Sequence, residues 1–154
     1  MLIIDSHTHL MTLDTERYPL ADSSSGYHPA FEGSANALHE QMRVAGVSRA
    51  LAISTGFYGW DNSYALDQQV GNKSWLAVAA LVDPASVYSS QKLDALVTQG
   101  VCGLRIQRHL FYQHVLDDAI STPLWRAASD LGLTVDVNAT HEEYAAVEAR
   151  VREF

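Results

Sequence analysis

Asp5, His7 and His9 stand two apart in the opening phrase Asp5-Ser6-His7-Thr8-His9, directly after the apolar run Leu2-Ile3-Ile4. On a strand, side chains alternate with period two, so all three ionisable groups are expected on one face. Two imidazoles and a carboxylate at a strand's C-terminal end begin a metal site or an acid–base site. The competing reading is a pair of hydrogen-bonded core histidines, although burying such groups without partners is costly. Ser6 points away from His7 on the same strand, so no serine–histidine dyad is expected. Arg105 brings a second chemistry, because a guanidinium offers a bidentate fork for a substrate carboxylate. Its alternative is an ion pair with a loop acid. Asn138 can hydrogen-bond a substrate oxygen but is a poor zinc ligand, and Asp61 is a further candidate substrate contact.

The remaining histidines read differently. Arg108 and His109 follow Arg105 closely enough to make a basic cluster at a site mouth, while His109 and His114 read as packing or capping residues. His28 and His39 are expected to be non-catalytic. His141 belongs to the phrase Thr140-His141-Glu142-Glu143, whose spacing is that of a capping box. Position 145 is alanine, so no His-Glu-x-x-His metal motif exists there.

Positioning these groups falls to a repeated phrase of short apolar strand, polar loop, amphipathic helix and glycine. Strands are expected at 2–8, 49–54, 75–82, 103–107 and 133–138. The run Leu76-Ala77-Val78-Ala79-Ala80-Leu81-Val82 reads as a strand covered on both faces. Between them, Leu38, Met42 and Ala45 mark one helical stripe ended by Gly46. Asn62 can cap a helix carrying Leu66 and Val70, and Ser89 or Ser90 can start one ended by Gly100. Thr122-Pro123 reads as an N-cap followed by proline at the first helical position, with Gly132 closing that helix. Strand–helix alternation of this kind argues for a parallel sheet with right-handed crossovers. Active sites then lie at the strands' C-terminal ends. Residues 11–35 form a long polar loop after the histidines and are expected to make a lid. The loop at 55–61 carries Phe57, Tyr58 and Trp60, which either pack between loops or face the site. Cys102 is expected to be a small buried hydrophobe.

The bulk numbers narrow the class. The chain has 154 residues, 47% hydrophobic, with a formal net charge of −8. One domain over 1–154 accommodates this length. The acidic balance argues against a nucleic-acid or anionic-membrane partner and suits a small-molecule substrate. A single cysteine excludes an intrachain disulfide. No signal-peptide pattern and no membrane-length apolar run occur, so a cytoplasmic location is expected.

Taken together, Asp5-Ser6-His7-Thr8-His9, Trp60-Asp61-Asn62-Ser63-Tyr64, Gly103-Leu104-Arg105-Ile106-Gln107 and Pro123-Leu124-Trp125 resemble the amidohydrolase superfamily. The resemblance is to the amidohydrolase-related branch that includes 2-pyrone-4,6-dicarboxylate lactonases and sugar lactonases. It runs along the whole chain and covers the first five of eight βα units. The implied fold class is therefore α/β, a partial TIM (β/α)8 barrel of about five parallel βα units, with the chain a fragment. The alternative is a complete doubly wound sheet.

The resemblance implies a hydrolase opening a carboxylate-bearing lactone or ester, with His7 and His9 as metal ligands or carbonyl polarisers. Asp5 is implied either to orient His7 or to share the site. A divalent metal of the zinc type is the implied cofactor, with metal-independent chemistry as the alternative. The family also draws a histidine from strand six and an aspartate from strand eight, which these 154 residues do not supply. The isolated chain is accordingly expected to be inactive, and a robust lactonase rate from it would contradict this. Rival functions are a TatD-like metal-dependent nuclease and a catalytically inactive half-barrel that binds a partner or a second copy through its sheet edges.

Overall fold

The computed structural model describes residues 1–22, 28–107 and 118–154. The chain alternates strand and helix: β1 (Ile4–Thr8), α1 (Ala35–Ala45), β2 (Arg49–Ile53), α2 (Ser63–Gln69), β3 (Leu76–Leu81), α3 (Ser89–Gln99), β4 (Gly103–Gln107), α4 (Asp118–Asp130), β5 (Thr134–Asn138) and α5 (Tyr144–Glu153). The strands lie side by side in chain order, and every neighbouring pair is parallel. Each strand falls within a residue or two of the segment expected from its apolar run.

Register sorts the side chains onto two faces. On the outer face, Ala50, Ala52, Val78 and Ala80 pack against Met42 of α1 and Tyr64 and Ala65 of α2. Leu104 and Ile106 pack there against Leu93 of α3 and Leu124, Trp125 and Ala128 of α4. The inner face carries Ile53 opposite Ala79, Leu81 opposite Arg105, Arg105 opposite Asp136 and Gln107 opposite Asn138. Although β1 and β5 are the two edges of the sheet, His7 and Asp136 on them lie 3.1 Å apart. Only a strongly curled sheet permits that, so the five strands form a half-barrel with the inner face concave.

Local signals act largely as expected. Gly46 and Gly100 end α1 and α3 in the left-handed region, at φ 71° and 112°, where a side chain would be strained. At Thr140 the capping box forms, with its amide donating to Glu143 Oε2 at 2.9 Å.

Three expectations need correction. The fourth helix, described over Asp118–Asp130, already contains Thr122-Pro123 in its interior rather than at its start. Burial of Ser121, Leu124, Trp125 and Ala128 against the sheet outweighs the local start signal and accommodates the proline. Asn62 sits at the N-cap position of α2, but its side chain makes no cap bond. Instead it accepts from the Leu81 amide and donates to the Leu81 carbonyl, each at 2.9 Å, extending the β3 ladder. Cys102 is exposed rather than buried, because it precedes β4 where the chain leaves the helix layer.

The long loop is tied to α2. Met11 and Gly33 form an antiparallel bridge, and Glu32 accepts from Thr12 Oγ1, the Leu13 amide and Tyr64 Oη. Burial raises the Glu32 pKa, yet these three hydrogen bonds outweigh it and hold the group below the usual carboxylate value. Arg17 and Tyr18 both donate to Asp67 Oδ2. The described ends of this loop are thus anchored to the outer helices; part of the expected lid lies outside the described residues.

Candidate active site

The C-terminal ends of β1, β4 and β5 bring His7, His9, Arg105 and Asp136 together on the concave face. Strand alternation accounts for His7 and His9, whose rings meet edge to face with centroids 5.0 Å apart. The pairing register of β1 shifts between Asp5 and Thr8, and this irregularity separates Asp5 from the histidines. Asp5 aligns with Ala50, an outer-face residue, and its carboxylate accepts the His7 main-chain amide at 3.1 Å. The expectation that all three groups share one face therefore holds for the two histidines and not for Asp5.

Each imidazole turns Nδ1 toward an acceptor. His9 Nδ1 lies 2.8 Å from the Ile53 carbonyl oxygen, and His7 Nδ1 lies 3.1 Å from Asp136 Oδ2. A carbonyl and a carboxylate can only accept, so in each pair Nδ1 is the donor, and a ring that carries one proton keeps a lone pair on Nε2. Desolvation pushes the His9 pKa below its ordinary value, and the positive charge of Arg105 acts in the same direction. The hydrogen bond to Ile53 and the charge of Asp136 oppose this without reversing it. A neutral ring protonated on Nδ1 cannot donate to a carbonyl through Nε2. The geometry consequently suits proton acceptance or metal ligation better than carbonyl polarisation.

Arg105 is 6% exposed, and its Nε and one terminal nitrogen meet no hydrogen-bond acceptor among the described residues. The Asp136 Oδ1 stands 3.9 Å from Nε, an ion pair too long to be a hydrogen bond. Burial lowers the Arg105 pKa and Asp136 raises it, with burial prevailing. Leaving such donors unmet costs roughly 1–3 kcal/mol, more for a charged group. A guanidinium held this way is prepared for a planar anion.

The other sequence candidates distribute as follows. Asn138 ends β5 opposite Gln107, on the Arg105 and Asp136 face and one step nearer the rim. Asp61 turns to α2, where its Oδ1 accepts the Ser63 amide at 2.8 Å; no described contact ties it to the histidines. His39, expected to be non-catalytic, stacks on Trp75 with ring centroids 4.6 Å apart. Tyr58 is buried and its hydroxyl accepts the Thr12 amide, so this aromatic packs between loops. Arg108, His109 and His114 lie outside the described residues. Asp136 is the group that inspection of the sequence missed. Its position two before Asn138 on one strand was the available signal.

A catalytic zinc takes three protein donors and a water. His7 and His9 offer two suitable nitrogens, but no group of three His, Cys, Asp or Glu able to hold a metal occurs among the described residues. The described donors thus fit part of a metal site and do not complete one.

Residues 4–154 match the model of the Amidohydrolase family. Among solved structures, a probable 2-pyrone-4,6-dicarboxylic acid hydrolase from Acinetobacter baumannii, with citric acid bound, superposes with a TM-score of 0.83 at 17% identity. That alignment covers 100% of this chain and 55% of the other. A protein of the same designation from Pseudomonas putida gives 0.81 at 19% identity, covering 99% and 54%. An amidohydrolase from Burkholderia multivorans with bound zinc gives 0.68 at 17%, covering 99% and 54%. At these identities the likeness is one of fold, and the chain spans about half the length of each. Among curated proteins, none matches the chain by sequence.

Proposed function

The chain belongs to the amidohydrolase family, and on that premise we propose that its concave-face cluster opens a lactone or related carboxylic ester by attack of water. One observation carries this reading: a buried guanidinium lies beside two imidazoles, and its unmet donors and both Nε2 atoms have no hydrogen-bond partner among the described residues. In this scheme Arg105 holds a carboxylate of the substrate, and Asn138 hydrogen-bonds an outer substrate oxygen. His7 Nε2 removes a proton as the water oxygen bonds to the lactone carbonyl carbon. Collapse of the resulting oxyanion breaks the ring carbon–oxygen bond. The proton on His7 then passes to the departing alkoxide, giving the hydroxy acid. His9, kept neutral, accepts a hydrogen bond from the same water.

A second reading places a divalent metal of the zinc type on the two bare Nε2 atoms, which are oriented as second-shell hydrogen bonds orient imidazole ligands. Such an ion would acidify a bound water. Calorimetric zinc titration of the wild type and of His7→Ala/His9→Ala distinguishes the two readings. Stoichiometric binding lost in the double variant favours the metal.

Because the chain spans about half of its relatives' length, binding is the appropriate test of the substrate class. Titration with a lactone monocarboxylate should perturb the His7 and His9 side-chain resonances. Arg105→Ala should weaken this binding about 10- to 100-fold, the consequence of losing a charge-assisted pair of ~1.4–2.8 kcal/mol. Affinity that is unchanged in Arg105→Ala would contradict the proposal. Preferential binding of inorganic phosphate or a nucleotide would point to the nuclease alternative.

A further inference from the structure

Asp136 stands between the two halves of the site, with one oxygen toward His7 and the other toward Arg105. We infer that Asp136 is a positioning residue that fixes the His7 tautomer, so that Nε2 rather than Nδ1 is the proton-accepting nitrogen, and that Arg105 in turn fixes the carboxylate. The inference rests on the hydrolytic reading above for its purpose, while its geometry stands independently.

Asp136 Oδ2 lies 3.1 Å from His7 Nδ1, and a carboxylate offers only acceptors, so the ring must protonate there. His7 is 46% exposed, so without this partner its ring would be free to turn and to exchange tautomers. The carboxylate itself is 22% exposed, and its buried Oδ1 has no hydrogen-bond partner among the described residues, with Arg105 Nε standing 3.9 Å away. Arg105 comes from the neighbouring strand at the paired register position, which sets its positive charge beside the second carboxylate oxygen. The three residues thus reproduce, from β1, β4 and β5, the base-plus-orienter arrangement that general-base chemistry requires.

Replacement by asparagine gives a sharp test because Arg105 can only donate. In Asp136→Asn the amide oxygen should turn toward the guanidinium, leaving the NH2 group facing His7. Nδ1 must then accept, and the proton should move to Nε2. We predict that nitrogen-15 spectra of the imidazoles at about pH 8.5, above the ordinary histidine pKa of ~6.5, show His7 protonated on Nδ1 in the wild type and on Nε2 in the variant. His9 should stay protonated on Nδ1 in both, since its partner is the Ile53 carbonyl, and it reports that the fold is retained.

The same His7 tautomer in wild type and variant, or Nε2 protonation in the wild type, would overturn the inference. Should the variant lose the His9 signature through unfolding, the wild-type spectrum still decides between Nδ1 and Nε2. The two readings fail separately. A tautomer swap without any lactone binding leaves Asp136 as the positioning residue and removes the hydrolase. Lactone binding through Arg105 without a swap does the opposite.

Discussion

His9 is held neutral by desolvation, and this has a consequence for stability. Its folded pKa lies below the unfolded value of ~6.5, so on acidification the unfolded chain takes up this proton first. The sign follows: stability attributable to His9 is intact above about pH 6.5 and is lost as pH falls toward the depressed folded value. Urea unfolding between pH 8 and pH 5 should show a falling midpoint, and His9→Gln should flatten the part of the fall that begins near 6.5. An unchanged slope in that variant would show that the ring is not desolvated. At this scale the sequence was legible for the position of His7, His9 and Arg105, whose spacing or strand location puts them on the concave face. Asp5 was misread because a one-residue irregularity in β1 reverses the face, and period-two counting cannot detect it. Asp136 was passed over because its significance lies in contact with a residue 129 positions away.

Among the elements, β4 is closely packed against both of its neighbours, β3 and β5. Gly103 lies on the concave face two residues before Arg105, and a Cβ there would meet the Ala79 Cβ at 3.0 Å and the Thr134 carbonyl oxygen at 3.1 Å. The latter is main chain in an adjacent strand and cannot yield cheaply. Gly103→Ala should therefore destabilise by about 1–3 kcal/mol, read as a lower denaturant midpoint with unchanged slope. A neutral substitution would mean that the sheet is less tightly curled than His7–Asp136 contact requires. Strand and helix existence was readable from apolar runs and terminal glycines. The start of α4 was not, since tertiary burial of Leu124 and Trp125 competes with the local Thr122-Pro123 signal and wins. Asn62 likewise looked like a helix cap and proved to be a strand extension, a distinction that only the position of β3 decides.

The molecule as a whole is a curled five-stranded sheet with helices on its convex side, and β1 and β5 are its edge strands. Ile4 on the β1 edge is 52% exposed, beside the exposed Leu2. Unpaired apolar edges invite further strands. Sedimentation of the 154-residue chain should show mass rising with concentration, and Ile4→Lys should suppress it. A concentration-independent monomer would show that the edge is protected. Fold class was legible from the strand–helix rhythm, whereas the degree of curl was not, because it is expressed only in which side chains meet across the concave face. That meeting is the centre of the account, and a crystal structure of the chain with a lactone monocarboxylate tests it most directly. The carboxylate should sit on Arg105 and the lactone carbonyl beside His7, with His7 Nδ1 still bonded to Asp136. A lactone bound away from Arg105, or His7 turned out to bulk solvent and parted from Asp136, would contradict it.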